Sequence, residues 1–204
     1  MLDELLAADG VTEVCELRSA LVGFMALHGG LEAVTYEIAS AAAREADASL
    51  YAVVQPDALK WHVPSHHYAL GHSDALARFC THVDVAVSIH GYGGLKSSDA
   101  RWTTIVLGGS RRDIAERLAT RLDEVLPDYE WVADIERIPP EYRGLHADNP
   151  VNRTRGGGVQ LELPPRVRGT SPQWADAPRD ADGFVAPTAT LVRTLSEWAR
   201  SLAP

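Results

Sequence analysis

Three strand-length apolar runs, each closing on or carrying a residue able to bind a metal or move a proton, set the frame for this chain. The first, LVGFMAL at 21–27, runs into His28-Gly29-Gly30. The second, VDVAVSIHG at 83–91, reaches His90 before its last glycine. The third, GVQLELP at 158–164, holds Glu162 between Leu161 and Leu163. A run such as 85–87, apolar at every position, suits a strand covered on both faces, the condition of a parallel sheet packed between helices.

The intervening segments have helical spacing. Val34, Ile38, Ala39 and Ala42 mark a helix over 32–45, and Ile114, Leu118 and Leu122 share one face of a helix over 111–125 that Ser110 is placed to cap. A further helix is expected over 73–80 with Ser73 as its N-cap, and a closing one over 188–202 with Leu191, Leu195 and Trp198 facing the core. Residues 1–19 read as a short helix. Strands are expected at 50–54, at 102–107 and at 130–135. Alternating strands and helices predict an α/β fold, a three-layer sandwich with a mainly parallel, mixed central sheet, formed by one domain over 1–204. In such sheets the site lies beyond the carboxyl ends of the strands, where both His28 and His90 fall.

Two stretches lack periodicity. Residues 61–68, WHVPSHHY, are dense in histidine. Residues 136–157 hold Pro139-Pro140, Asn149-Pro150 and Gly156-Gly157, and loops of that length in compact domains tend to be functional or disordered.

Charge narrows the function. With 28 acidic against 19 basic residues the net charge is −9, which argues against a nucleic-acid partner. No apolar run reaches the roughly 18 residues of a membrane span. The start, MLDELLAADG, has neither the basic nor the apolar region of a signal peptide, so a cytoplasmic protein is expected. Cys15 and Cys80 match no paired-cysteine pattern and read as free thiols.

The residues that carry chemistry are few. His28 and Glu32 from one strand end, with His90 from another, offer the three nitrogen and oxygen ligands that a catalytic zinc takes while leaving one position open. The glycines allow a tight bend between the first two, and a helix start favours an anionic Glu32. Glu162 lies inside an apolar strand, where a lone carboxylate is expensive. Two readings fit it: an ion pair with Arg153 or Arg155, or a general base of raised pKa beside the zinc. Of the other histidines, His62, His66, His67 and His72 remain open as ligands, supports or substrate contacts, whereas His82 and His146 read as surface residues. Arg137, Arg143, Arg153, Arg155, Arg166 and Arg168 form one of the few basic stretches of an acidic chain, suited to an anionic polypeptide partner. Asn152-Arg153 could bind one of its carboxylates.

Taken together, HGG-x-E after a strand, SIHG after a second, LGG before a helix, and NPVNRTRGGGVQLELPPRVR at 149–168 resemble the poly-γ-glutamate hydrolases. These are phage-associated and bacterial zinc enzymes related in fold to carboxypeptidase A. The resemblance spans 21–168 and is most specific in the VNR…GGGVQLELP part. It implies a Zn2+ cofactor on His28, Glu32 and His90, Glu162 as the catalytic base, and Asn152 and Arg153 as the substrate-carboxylate site. It implies hydrolysis of γ-glutamyl amide bonds. The segment 61–68 departs from the family pattern and is expected to shape substrate choice. An amidase acting on another γ-glutamyl or peptidoglycan-type link is the alternative within the same class. A zinc-stabilised polyanion-binding or phage-structural module is the alternative outside it.

Overall fold

The computed structural model describes residues 1–93 and 103–202. Its strands are β1 (Thr12–Glu16), β2 (Val22–Gly29), β3 (Ser49–Val54), β4 (Val85–Gly91), β5 (Thr104–Gly108), β6 (Glu130–Val132) and β7 (Gly158–Leu163). They form one sheet in the order β1-β3-β2-β4-β7-β5-β6. The central block β3-β2-β4-β7 is parallel, β1 and β5 pair antiparallel with it, and β6 runs parallel to β5. The sheet is therefore mixed and mainly parallel, as the apolar runs predict.

Alternate residues of each buried strand feed two different cores. Phe24, Ala26, Leu50, Ala52, Val87, Ile89, Val159 and Leu161 pack under α2 (Thr35–Ala46), α4 (Arg112–Val125) and α5 (Ala186–Ser201). Met25, Leu27, Tyr51, Val53 and Ala86 pack on the opposite face with α1 (Leu2–Leu6) and α3 (Asp74–His82). This makes three layers, with the sheet in the middle. Burial of Leu191, Leu195 and Trp198 confirms the inward face of α5, and the Ser73 hydroxyl accepts the Leu76 N–H at 2.9 Å to cap α3.

Several boundaries differ from expectation. The helix over 1–19 is confined to Leu2–Leu6. After Gly10, which turns the chain at φ +74°, Thr12–Glu16 becomes an edge strand on β3. The open edge of β3 offers hydrogen bonds that a short helix here would forgo. Ser110 does not cap α4; its hydroxyl accepts the Gly158 N–H at 3.4 Å, joining the helix entry to β7. The strand at 130–135 stops at Val132, and Trp102, the expected start of β5, lies outside the described residues.

Candidate metal centre and active-site cleft

His28 reaches the site through an irregularity in β2. Ala26 pairs with Ala52 and Gly29 with Val54, so β2 spends three steps where β3 spends two. Such a bulge re-aims side chains. Leu27 and His28, though consecutive, both turn to the face of α1 and α3, where the His28 ring lies 6.0 Å from that of Tyr68. The Tyr68 hydroxyl donates to the Leu27 carbonyl at 2.7 Å.

Glu32 is carried by a turn, not by the first turn of α2. Its N–H donates to the His28 carbonyl at 2.8 Å, and the helix begins only at Thr35, after Val34 in the left-handed region at φ 73°. Gly30 makes the turn possible. It sits at φ +76°, and a Cβ there would stand 2.0 Å from the Gln55 carbonyl oxygen. The helix start therefore supports Glu32 less than the sequence implied, and side-chain and backbone donors do the work.

His90 and Glu162 are direct partners in the β4–β7 register and leave the same face of the sheet. Both are buried, as is His28. His28 Nδ1 lies 2.8 Å from one Glu32 carboxylate oxygen. The other oxygen accepts the Gly91 N–H at 2.8 Å and lies 3.5 Å from His90 Nδ1. The far ring nitrogens are held too: His28 Nε2 donates to the Val63 carbonyl at 2.9 Å, and His90 Nε2 lies 3.0 Å from the Ser88 hydroxyl.

This donor set fits a metal ion. One atom from each of His28, Glu32 and His90 lies within 4.8 Å of the others. A neutral His28 that keeps its Nε2–H on Val63 turns an Nδ1 lone pair toward a carboxylate, an arrangement that a cation between them satisfies. Burial lowers the pKa of His90. Burial also pulls His28 down, but the Glu32 carboxylate bonded to it reverses this and leaves it raised. Burial acts to raise Glu32, yet the two histidines outweigh it and hold the carboxyl far below its ordinary range.

Glu162 has neither arginine as a partner. Arg153 pairs with Asp148 at 3.0 Å and Arg155 with Asp84 at 2.7 Å. The Gln160 amide donates to Glu162 at 2.8 Å, and Asn149 in turn donates to the Gln160 oxygen at 2.7 Å. Burial, and after it the Glu32 charge, push the Glu162 carboxyl well above its ordinary value, against the pull of Gln160 and Arg168.

Arg168 is a support the sequence did not single out from its neighbours. Its buried guanidinium donates to the carbonyls of Leu163 (3.0 Å), Ala33 (2.6 Å) and Tyr92 (3.2 Å), tying the ends of β7 and β4 to the turn that carries Glu32. A Cβ on Gly91 would stand 2.8 Å from its Cζ.

These groups open into a cleft of about 710 Å³ whose walls include His28, Glu32, His90 and Glu162. His62, His66 and His146 also line it, brought from two loops whose course no local pattern encodes. Asn152 and Arg153 stand apart from the cleft walls. The Asn152 amide donates to the Gly144 and His146 carbonyls at 2.7 and 3.0 Å, and its oxygen accepts the Ser110 N–H at 2.9 Å. Arg153 lines a neighbouring cleft of about 350 Å³.

Fold and site together define an α/β protein with a possible His–Glu–His metal centre at the carboxyl ends of parallel strands. The family model for poly-γ-glutamate hydrolase matches residues 8–174, and the chain belongs to that family. The structure of a bacteriophage poly-γ-glutamate hydrolase superposes with a TM-score of 0.73 at 20% identity, over 97% of this chain and 92% of that one. A zinc-free structure described as YNDL-apo gives 0.71 at 18% identity, over 92% and 88%. At these identities the likeness is one of fold. No curated protein matches the chain in sequence. Among the described residues no helix is long and apolar enough to cross a membrane.

Proposed function

We propose that this protein hydrolyses γ-glutamyl amide bonds, with poly-γ-glutamate as its substrate, using zinc held by His28, Glu32 and His90. The observation that carries the reading is the pairing of His90 with Glu162 across two strands, which sets a carboxyl of raised pKa beside a three-donor centre in one cleft. Two imidazoles and one carboxylate match a catalytic zinc set with a position left open. When bound there, zinc supplies Lewis-acid charge for the scissile carbonyl and lowers the pKa of water. Glu162 takes the proton of the attacking water and delivers it to the leaving amine nitrogen. Gln160 orients the Glu162 carboxyl. Asn152 fixes the loop that carries Arg153, and Arg153, joined to Asp148 only by a half-exposed ion pair, receives a substrate carboxylate.

The test is amine release from poly-γ-glutamate by wild type and Glu162→Gln, with zinc content measured on both. A loss of about 10²–10⁴-fold with zinc unchanged is expected. An undiminished rate in the variant removes Glu162 from the chemistry, and a zinc-loaded wild type that releases no amine removes the substrate assignment.

A further inference from the structure

Among the described residues, no lysine or arginine lines the 710 Å³ cleft. Its carboxylates are Glu32, Glu141 and Glu162. The six arginines between 137 and 168 are engaged elsewhere: Arg137 pairs with Glu130, Arg143 donates to the Ile138 carbonyl, and Arg166 lies over the Tyr129 ring, besides the contacts of Arg153, Arg155 and Arg168. The described lining instead carries the imidazoles of His28, His62, His66, His90 and His146. His66, from the 61–68 loop, and His146, from the loop between β6 and β7, meet over the cleft with ring centroids 4.7 Å apart and planes 31° from parallel.

His66 also lines the 350 Å³ cleft that holds Arg153 and Asp148, so the two clefts adjoin across it. His146 Nδ1 accepts the Asp148 N–H at 3.1 Å, which leaves Nε2 as the N–H donor of the neutral ring. Among the described residues, the only group of three or more metal-binding side chains with converging donors is His28, Glu32 and His90. The His66–His146 pair is therefore not a second centre of that kind.

We propose that His66 and His146 form a carboxylate-recognition station that joins the main cleft to the Arg153 cleft, so that an acidic polypeptide is bound in one pass across both. The proposal rests on reading the main cleft as a γ-glutamyl hydrolase site, and it adds the residues that select an acidic chain and the direction in which that chain leaves. Each imidazole donates an N–H to a side carboxylate, and Arg153 takes a carboxylate farther along. The pKa of His66 is lowered, by burial and then by the charges of His67 and His146, with Asp148 opposing.

The experiment is calorimetric binding of γ-linked glutamate oligomers of increasing length to the zinc-loaded chain carrying Glu162→Gln, with and without His66→Ala/His146→Ala. Neutral γ-linked glutamine oligomers serve as the control. Affinity is expected to rise with length and to fall about tenfold to a hundredfold in the histidine variant for acidic oligomers only. His66→Gln/His146→Gln, which keeps N–H donors, is expected to recover most of the loss. Equal affinities with and without the histidines overturn the proposal. So does an equal loss for neutral oligomers, or a second zinc equivalent that disappears with the histidines. Oligomers bound in this histidine-dependent way but left uncut by wild type would instead contradict the hydrolytic reading while the station stands.

Discussion

Glu162 and His90 face each other across the β4–β7 pairing, and each is steadied by the residue two places back on its own strand. The Ser88 hydroxyl lies 3.0 Å from His90 Nε2, and the Gln160 amide donates to Glu162 at 2.8 Å. Ser88 and Gln160 are themselves register partners. Two adjacent pairs on one sheet face therefore set both a proposed ligand and the proposed base, and a rigid sheet fixes their separation.

Ser88→Ala should weaken zinc affinity about 10–100-fold, because the hydroxyl holds the ring nitrogen that faces away from the centre. A chelator-competition titration measures this. Unchanged affinity would show that the hydrogen bond does not orient His90.

Gly30→Ala should destabilise the fold by about 1–3 kcal/mol or more, since the new methyl meets the Gln55 carbonyl at 2.0 Å in a left-handed backbone. Gln55 also exchanges two hydrogen bonds with the Trp61 backbone, so the loop that carries His62 is displaced with it. Thermal melting is expected to drop by about 2–4 °C for each kcal/mol lost. A melt equal to wild type would contradict the tight turn.

How much of this was legible in the sequence differs by residue. His28, His90 and Glu162 were legible because an apolar strand with one polar residue near its end has few places to put that residue. The support of Glu32 was not, because Val34 takes a left-handed conformation that delays the helix. Thr12–Glu16 was misread as helix because its pairing depends on a distant edge, that of β3. The arginines looked like a substrate surface because no local pattern states which acidic partner each will find. His66 and His146 meet only through the tertiary course of two loops.

Glu162 should make the chelator-treated protein less stable as pH rises. Its folded-state pKa is raised, so above the ordinary carboxylate range the folded chain holds a proton that the unfolded chain has released, and stability falls with pH until the folded group ionises. Glu162→Gln removes this contribution and keeps an oxygen for the Gln160 donor. The variant is expected to gain in melting temperature over wild type as pH rises above the ordinary carboxylate range, and parallel pH profiles would contradict the raised pKa.

Removing zinc with a chelator, or substituting His28→Ala, should leave the far-ultraviolet circular dichroism unchanged. The two cores and the sheet register are built from Phe24, Val87, Leu161 and their neighbours, and the Gly91 N–H and Arg168 hold the strand ends independently. An unfolded variant would make the metal structural.

The most direct measurement is zinc stoichiometry in the purified protein together with anomalous diffraction at the zinc edge. One zinc per chain is expected, with its peak between Nδ1 of His28, Nδ1 of His90 and the Glu32 carboxylate. A protein that retains no zinc when zinc is supplied, or a peak on other side chains, would contradict the central claim.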